Sequence, residues 1–561
     1  VTLVLSEHLQ LIASAPEGIQ KLRGLILELA VRGKLVPQDP KDEPANKLID
    51  RINTERTQRE TRGKGKKSRP DQAVSKSRPS LDVPQGWEFA SLGSLLLEIS
   101  SGGTPSKSNP QFWNGNIPWA SVKDLGFGEP LTDTQDKITE AGLAAGAFLA
   151  SAGSILVCTR MGLGKIGEAK IDVAINQDLK ALLLGSEFNK QYFINFFKTL
   201  SIKGSGMTVA GIKQDELLGF VVPVPPIAEQ HRIVAKVDEL MALCDRLESE
   251  QNDSAIAHTQ LVESLLGALT QSTDAADFEA NWKRIAEHFD TLFTTEASID
   301  ALQKTILQLA IMGKLVKQDP NDEPANELLK RITLGRSRLE IQGLCKKSKT
   351  LPLNSHDDQP FRIPAGWEWT SLSKASLINP RNSEDDSTIV SFVPMAMIGT
   401  GFDGKHSQEH RKWGEIKQGF THFAENDIGI AKITPCFENS KACVFENLQN
   451  RIGAGTTELH IIRPIEETLA PRFVLAYLKS PLFLTTGETR MTGTAGQKRL
   501  PKEFLEHNPF PLPPLAEQHR IVTKIDELMA SCEQLKTTLK AATAAQSTLS
   551  SALIQHALEA A

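Results

Sequence analysis

Two blocks of this chain occur twice, and the spacing of the copies dictates how it can fold. Residues 29–52, LAVRGKLVPQDPKDEPANKLIDRI, recur at 309–332 as LAIMGKLVKQDPNDEPANELLKRI, with 17 of 24 positions identical at an offset of 280. The offset holds from Glu7-His8 against Glu287-His288 to VPQGWEFASL (83–92) against IPAGWEWTSL (363–372). A second block, PPIAEQHRIVAKVDELM (225–241), returns as PPLAEQHRIVTKIDELM (513–529), 14 of 17 identical at an offset of 288. Between the blocks lie two stretches, 93–222 and 373–510, that match poorly, the second eight residues longer. A repeat at fixed spacing marks a repeated structural unit. The constant parts read as scaffold, and the variable parts as two devices aimed at different targets.

The constant blocks carry a helical pattern. After Pro225-Pro226, apolar residues fall at Ile233, Val237, Leu240, Cys244 and Leu247, and in the second copy at Ile521, Ile525, Leu528, Cys532, Leu535 and Leu539. Steps of three and four give a narrow seam suited to helix-on-helix packing, and proline just before the start is a good helix opener. The first helix is predicted from Ile227 to Leu269, about 65 Å at 1.5 Å per residue. A polar break over 271–281 and a second helical stretch from Trp282 to Met312 are expected to follow. Gly33 and Gly313 stand where a glycine ends a helix. The N-terminal helix matches the second half of this spacer and the C-terminal helix the first half. The chain thus reads as a two-unit ring opened within one spacer, with two long antiparallel helical elements relating two domains by pseudo-twofold symmetry.

In the variable stretches ILVCTR (155–160), KIGEAKIDVAI (165–175) and ALLLG (181–185) read as strands, and QYFINFFKTL (191–200) as a short helix. The second stretch offers DIGIAKI (427–433), KACVFEN (441–447), ELHIIRP (458–464) and the helix RFVLAYLK (472–479). A mixed α/β domain fits both.

Composition narrows the function. The net charge of −5 opposes nucleic-acid binding only on average, because residues 56–78 carry nine basic residues against Glu60 and Asp71; such a run is a solvated linker that can also screen phosphates. The six cysteines form no CxxC pair and have no histidine at zinc-finger spacing, which points to reduced, packed thiols in a cytoplasmic protein. Val1–Gln20 lacks the Lys and Arg of a signal peptide, and no apolar run approaches a membrane span. Gly162-Leu163-Gly164-Lys165-Ile166-Gly167 matches a dinucleotide fingerprint, but a strand rather than a helix is expected next, so it reads as a β-turn. Asn508-Pro509-Phe510 has one proline too few for an amino-methyltransferase motif. No Walker lysine or nuclease signature accompanies them. Glu229/His231 and Glu517/His519 are two residues apart, too close to share a helical face for a metal, so packing or docking explains them better.

The run SGGTPSKSNPQFWNGNIPWASVKDL (101–125), with GSGMTVAGIKQDEL (204–217) and MTGTAGQKRLPKEFL (491–505) each shortly before an AEQHRIV helix, resembles the specificity subunits of type I restriction–modification systems. KITPCFENSKA followed by GAGTTELHIIRP resembles a second variety of recognition domain in that family. The resemblance implies a DNA-recognition subunit without catalytic chemistry, reading an asymmetric bipartite site on double-stranded DNA. It implies two methyltransferase subunits using S-adenosylmethionine and docked on the helices, and restriction subunits that use ATP and Mg; this chain itself is expected to bind no cofactor and no metal. A modification-only assembly is the alternative. On this reading 1–84 is a helical region with a basic linker, 85–225 the first recognition domain, 226–335 the spacer, 336–364 a linker, 365–512 the second recognition domain and 513–561 a helix pairing with the spacer.

Base reading needs donors and acceptors on projecting loops. The pre-helix loops supply Lys203, Thr208, Lys213 and Gln214 in the first domain, and Arg490, Thr492, Thr494, Gln497, Lys498 and Arg499 in the second. Thr104, Lys107, Arg160 and Lys165, and Lys432, Thr434 and Lys441, complete the candidates.

Overall fold

The computed structural model describes residues 9–62, 83–202, 211–343, 359–494 and 496–559. Six helices carry the repeated blocks: α1 (Gly18–Val31), α2 (Ala45–Thr61), α3 (Ile227–Gln271), α4 (Glu296–Ile311), α5 (Ala325–Ile341) and α6 (Leu515–Glu559). The chain forms two compact units, Val1–Ser254 with Thr543–Ala561, and Ala255–Ala542, so the boundary falls inside α3 and inside α6.

In unit 1, strands β1 (Glu88–Ser91) and β10 (Val221–Val224) pair antiparallel and bring together the entry and exit of the variable stretch. Pro223 of β10 is tolerated because this ribbon has only two strands. A four-stranded sheet follows in the order β2 (Leu96–Ser101), β9 (Leu179–Leu184), β6 (Ile155–Cys158), β7 (Ile166–Glu168). A second sheet has the order β4 (Asp136–Ile138), β3 (Trp113–Ala120), β8 (Val173–Ile175), β5 (Phe148–Ala150), with β3 and β8 parallel. Strand β6 explains the layering. Ile155 and Val157 pack into the helix-side core with Leu22, Phe193 and Ile233. Leu156 and Cys158, on the opposite face, pack with Val173 and Ile175 of the second sheet. Successive side chains leave a strand on opposite faces, so a continuous apolar run is what a strand buried on both sides requires.

Unit 2 repeats this topology strand for strand. Ribbon β11 (Glu368–Ser371) with β20 (Pro509–Leu512) closes it. Its sheets run β12 (Ser376–Ile378), β19 (Leu459–Pro464), β16 (Ile428–Ala431), β17 (Ala442–Val444), and β14 (Glu409–Lys412), β13 (Ile389–Val393), β18 (Ile452–Gly455), β15 (Thr421–Ala424). Two stretches that match poorly in sequence therefore share one eight-strand plan, β2–β9 and β12–β19, between the ribbons.

The helices also repeat within each unit. In unit 1, α1 runs antiparallel to the first half of α3, with Arg23 bridging Asp245 at 2.5 Å and Glu248 at 2.8 Å and Gln251 donating to Ala13 O. It runs parallel to the end of α6, where Gln546 meets Ser14 and Lys21 meets Ser551. In unit 2, α4 runs antiparallel to the first half of α6, through Lys536–Asp300 at 2.6 Å and Lys540–Glu296 at 3.4 Å. It runs parallel to the end of α3, with Lys314 donating to Thr270 O and Ser272 O. The terminal helices thus pair with the middle of the chain, as the repeat predicts. No described helix is long and apolar enough to cross a membrane.

The spacer departs from the expected pattern. A helix restarts at Ala275, because Asp274 accepts from the Asp277 N–H at 2.9 Å and caps it. The stretch from Trp282 to Met312 is broken instead after Glu287. A reciprocal cap between Thr295 and Ser298 begins α4 there.

Candidate nucleic-acid interface

The turn between β6 and β7 carries the first group of candidates. Lys165 N donates to Gly162 O at 3.1 Å and Cys158 N to Lys165 O at 3.0 Å, which closes Thr159–Lys165 into a hairpin. Gly164, at φ +91°, takes the left-handed position of that turn. The dinucleotide-like glycines are therefore turn residues. The pre-helix segment docks against this hairpin: Ile212 N donates to Thr159 O at 3.0 Å and Gly211 bridges Arg160. Arg160 and Gln214 consequently belong to one rim, with Lys213 exposed between them. Lys180 donates to Gln214 Oε1 at 3.4 Å, and exposed Thr104 hydrogen-bonds Gln177. Arg160 Nε lies 3.7 Å from Asp178, whose side chain is almost buried. Lys165 is used differently, its ammonium donating to Val122 O at 2.8 Å. Lys107 is exposed on the segment between β2 and β3. Lys203 and Thr208 lie outside the described residues.

The corresponding junction of unit 2 is built the same way. The segment from β16 to β17 meets the pre-helix hairpin: Thr434 N donates to Lys498 O at 3.0 Å, Lys498 N to Thr434 Oγ1 at 3.1 Å, and Leu500 N to Lys432 O at 2.7 Å. Thr492 and Arg499 exchange backbone hydrogen bonds of 3.0 and 2.8 Å, so Thr494, between Gly493 and Gly496 at positive φ, and the following Gln497 stand on an exposed tip. Arg490 is exposed at the end of the preceding helix, Pro481–Arg490. Arg499 forks onto Glu458 at 2.8 and 3.0 Å, and this hydrogen-bonded pairing holds the Glu458 carboxyl below its usual range. Lys441 donates to Met395 O at 3.0 Å, and buried Lys479 ties Thr400 O, Gly401 O and Ser440 O behind the loop. Burial pushes Lys479 down to about 8.

The structure thus gathers Arg160, Lys213 and Gln214 with Thr104 nearby, and Lys432, Thr434, Thr492, Lys498 and Arg499 together. It directs Lys165 and Lys441 onto the domain's own backbone. Sequence reasoning missed Asp178 and Glu458, which orient the two arginines. Nothing in a one-dimensional reading pairs them, since Glu458 lies 41 residues from Arg499.

The repeated Glu-Gln-His segment is structural. Glu229 accepts from Trp87 Nε1 at 2.9 Å and Gln38 Nε2 at 2.8 Å. Glu517 accepts from Trp367 Nε1 at 2.9 Å and Gln318 Nε2 at 3.0 Å. Gln230 and Gln518 each donate to the carbonyl of a proline five residues earlier. Arg232–Asp42 and Arg520–Asp322 complete the equivalent sets. Among the described residues no cluster of three His, Cys, Asp or Glu could hold a metal. Cys158 and Cys443 are buried and their thiols are pushed up to about 12 by burial, which makes them inert; Cys345 lies outside the described residues.

Comparison with known proteins identifies the family. The family model for the type I restriction modification DNA specificity domain matches residues 84–256 and 381–543. The specificity subunits of the type I restriction enzymes EcoAI and EcoEI, both of Escherichia coli, are each 54% identical over 239 residues, 42% of this chain. The matched stretch covers 41% and 40% of those relatives, so the chain spans about two fifths of their length. Among solved structures, the HsdS subunit from Thermoanaerobacter tengcongensis aligns with a TM-score of 0.40 at 18% identity, covering 85% of this chain and 97% of that one. With two separate matches that together take in more than half of its residues, the chain belongs to the type I restriction–modification DNA specificity family.

Proposed function

We propose that this chain is the sequence-reading subunit of a type I restriction–modification assembly, without catalytic chemistry of its own. Each unit reads one half of a bipartite site on duplex DNA. The scaffold helices dock two methyltransferase subunits that use S-adenosylmethionine, and restriction subunits using ATP and Mg join them. One observation carries the reading: two units of identical strand order present the same junction, hairpin turn against pre-helix loop, furnished with different polar side chains. A shared frame with unlike tips is what reading two unlike half-sites demands, because phosphate contacts position a protein and base-edge contacts specify the sequence. Exchanging residues 93–222 for those of another family member tests it, with methylated sites mapped by single-molecule sequencing. One half of the methylated sequence is expected to change and the other to persist. A change in both halves, or in neither, overturns the reading.

A further inference from the structure

Two large apolar side chains of unit 1 stand in water beside the cations of its junction. Phe127 is 58% exposed and Met161 is 69% exposed. Phe127 stands between two glycines, Gly126 and Gly128, which leave it open to a close approach, and Met161 is followed by Gly162. Met161 directly follows Arg160 and holds φ +56°, a left-handed conformation that a long side chain rarely adopts and that concentrates at functional sites. Phe127 is bridged to Ile166, and a Cβ on Gly164 would lie 3.7 Å from its ring. The phenyl therefore lies over the same hairpin that carries Arg160 and Met161. None of the exposed large apolar residues of unit 2 lies on the corresponding loop, 432–441. The feature belongs to one reader and is not a property of the frame.

We infer that Phe127 and Met161 read thymine by touching its 5-methyl group in the major groove, beside the base that Arg160 addresses. The inference rests on the DNA-reading function proposed above. The thymine methyl is the apolar group that base edges present in the major groove, and it lies among acceptors such as guanine O6 and N7 that an arginine fork takes. A rim whose hairpin carries Arg160, 3.7 Å from Asp178, and Met161, with Phe127 lying over it, is complementary to that mixture. A surface that met phosphates alone would have no use for them.

The test uses the full chain assembled with methyltransferase subunits and the half-site assigned to unit 1 by the domain exchange. Each thymine of that half-site is replaced in turn by uracil, which lacks only the methyl group, and equilibrium binding is measured. Affinity is expected to fall about fourfold at one or two positions, the worth of one buried methyl. Phe127→Ala or Met161→Ala should bind more weakly and no longer distinguish thymine from uracil there. The salt dependence should keep its slope, because no phosphate contact is removed. Uracil tolerated at every position, a half-site without thymine, variants that lose assembly while binding DNA normally, or base unstacking that marks the two residues as a wedge would each overturn the inference. Failure of the underlying reading looks different: the unaltered assembly would then show no sequence preference at all.

Discussion

Glu229 and Glu517 accept from an indole and an amide in sites closed to water. Glu229→Ala leaves the buried Trp87 N–H without this acceptor, at about 1–3 kcal/mol, while the Gln38 amide keeps its bond to Gly33 O. Urea unfolding is expected to show a loss of about 1–3 kcal/mol on that basis. Burial pushes both carboxyls above their ordinary value of 4.5. The folded chain therefore holds these protons more firmly than the unfolded one, and the stability they contribute is full below pH 4.5 and lost as pH rises through the raised value. A Glu229→Gln, Glu517→Gln chain should lack this part of the pH dependence; an unchanged pH profile in urea titrations would contradict it. On the DNA side, Arg160→Ala should weaken binding roughly 10- to 100-fold and relax preference at one base position, as loss of a bidentate base contact does. Binding to half-site variants checks this. The cations and threonines were named from the sequence because base reading would require such groups, and the structure brings part of them together at the two junctions. Their acidic partners were not, since Asp178 and Glu458 meet the arginines only through the sheets. Phe127 and Met161 escape a search for donors and acceptors altogether.

Both glycine-terminated helices end in the same motif. Gly33 N and Lys34 N donate to Ala30 O and Leu29 O, and Gly313 N and Lys314 N to Ala310 O and Leu309 O. The glycines sit at φ +66° and +69°, and a Cβ on them would fall 2.5 Å from Pro84 and 2.4 Å from Pro364. Gly313→Ala is expected to cost more than about 1 kcal/mol, combining a left-handed backbone with a clash; a thermal melt reads it, and an unshifted midpoint would refute it. Periodicity located these helices and strands β6–β9, β16, β17 and β19 because one face of each meets a core. It overlooked β3, whose Asn, Gly and Pro read as loop, since pairing with β4 and β8 overrides local preference. It also misplaced the spacer break, because Asp274 and Thr295 act as caps within what reads as polar linker and continuous helix.

The repeat made the two-unit organisation legible before any coordinates, whereas the common strand order of the variable stretches was invisible, because topology survives after side-chain identity is lost. Residues 251–257 of α3 and 541–545 of α6 are all exposed, so lengthening there spares both cores. Four residues inserted in each helix add about 6 Å. The gap between methylated half-sites is expected to lengthen, as mapping of methylated bases in cells carrying the variant will show; an unaltered gap would argue against the helices as the ruler. The two-stranded ribbons carry a larger consequence. Because β1–β10 and β11–β20 bring the entry and exit of each variable stretch side by side, two crossovers in the gene exchange one stretch for another, provided the newcomer keeps the apolar face that Ile155 and Val157 present to Leu22 and Ile233. On the proposed function, recombination between relatives would then mint new addresses on an unchanged helical frame, and a chain carrying one variable stretch in both seats would answer to the same half-site twice.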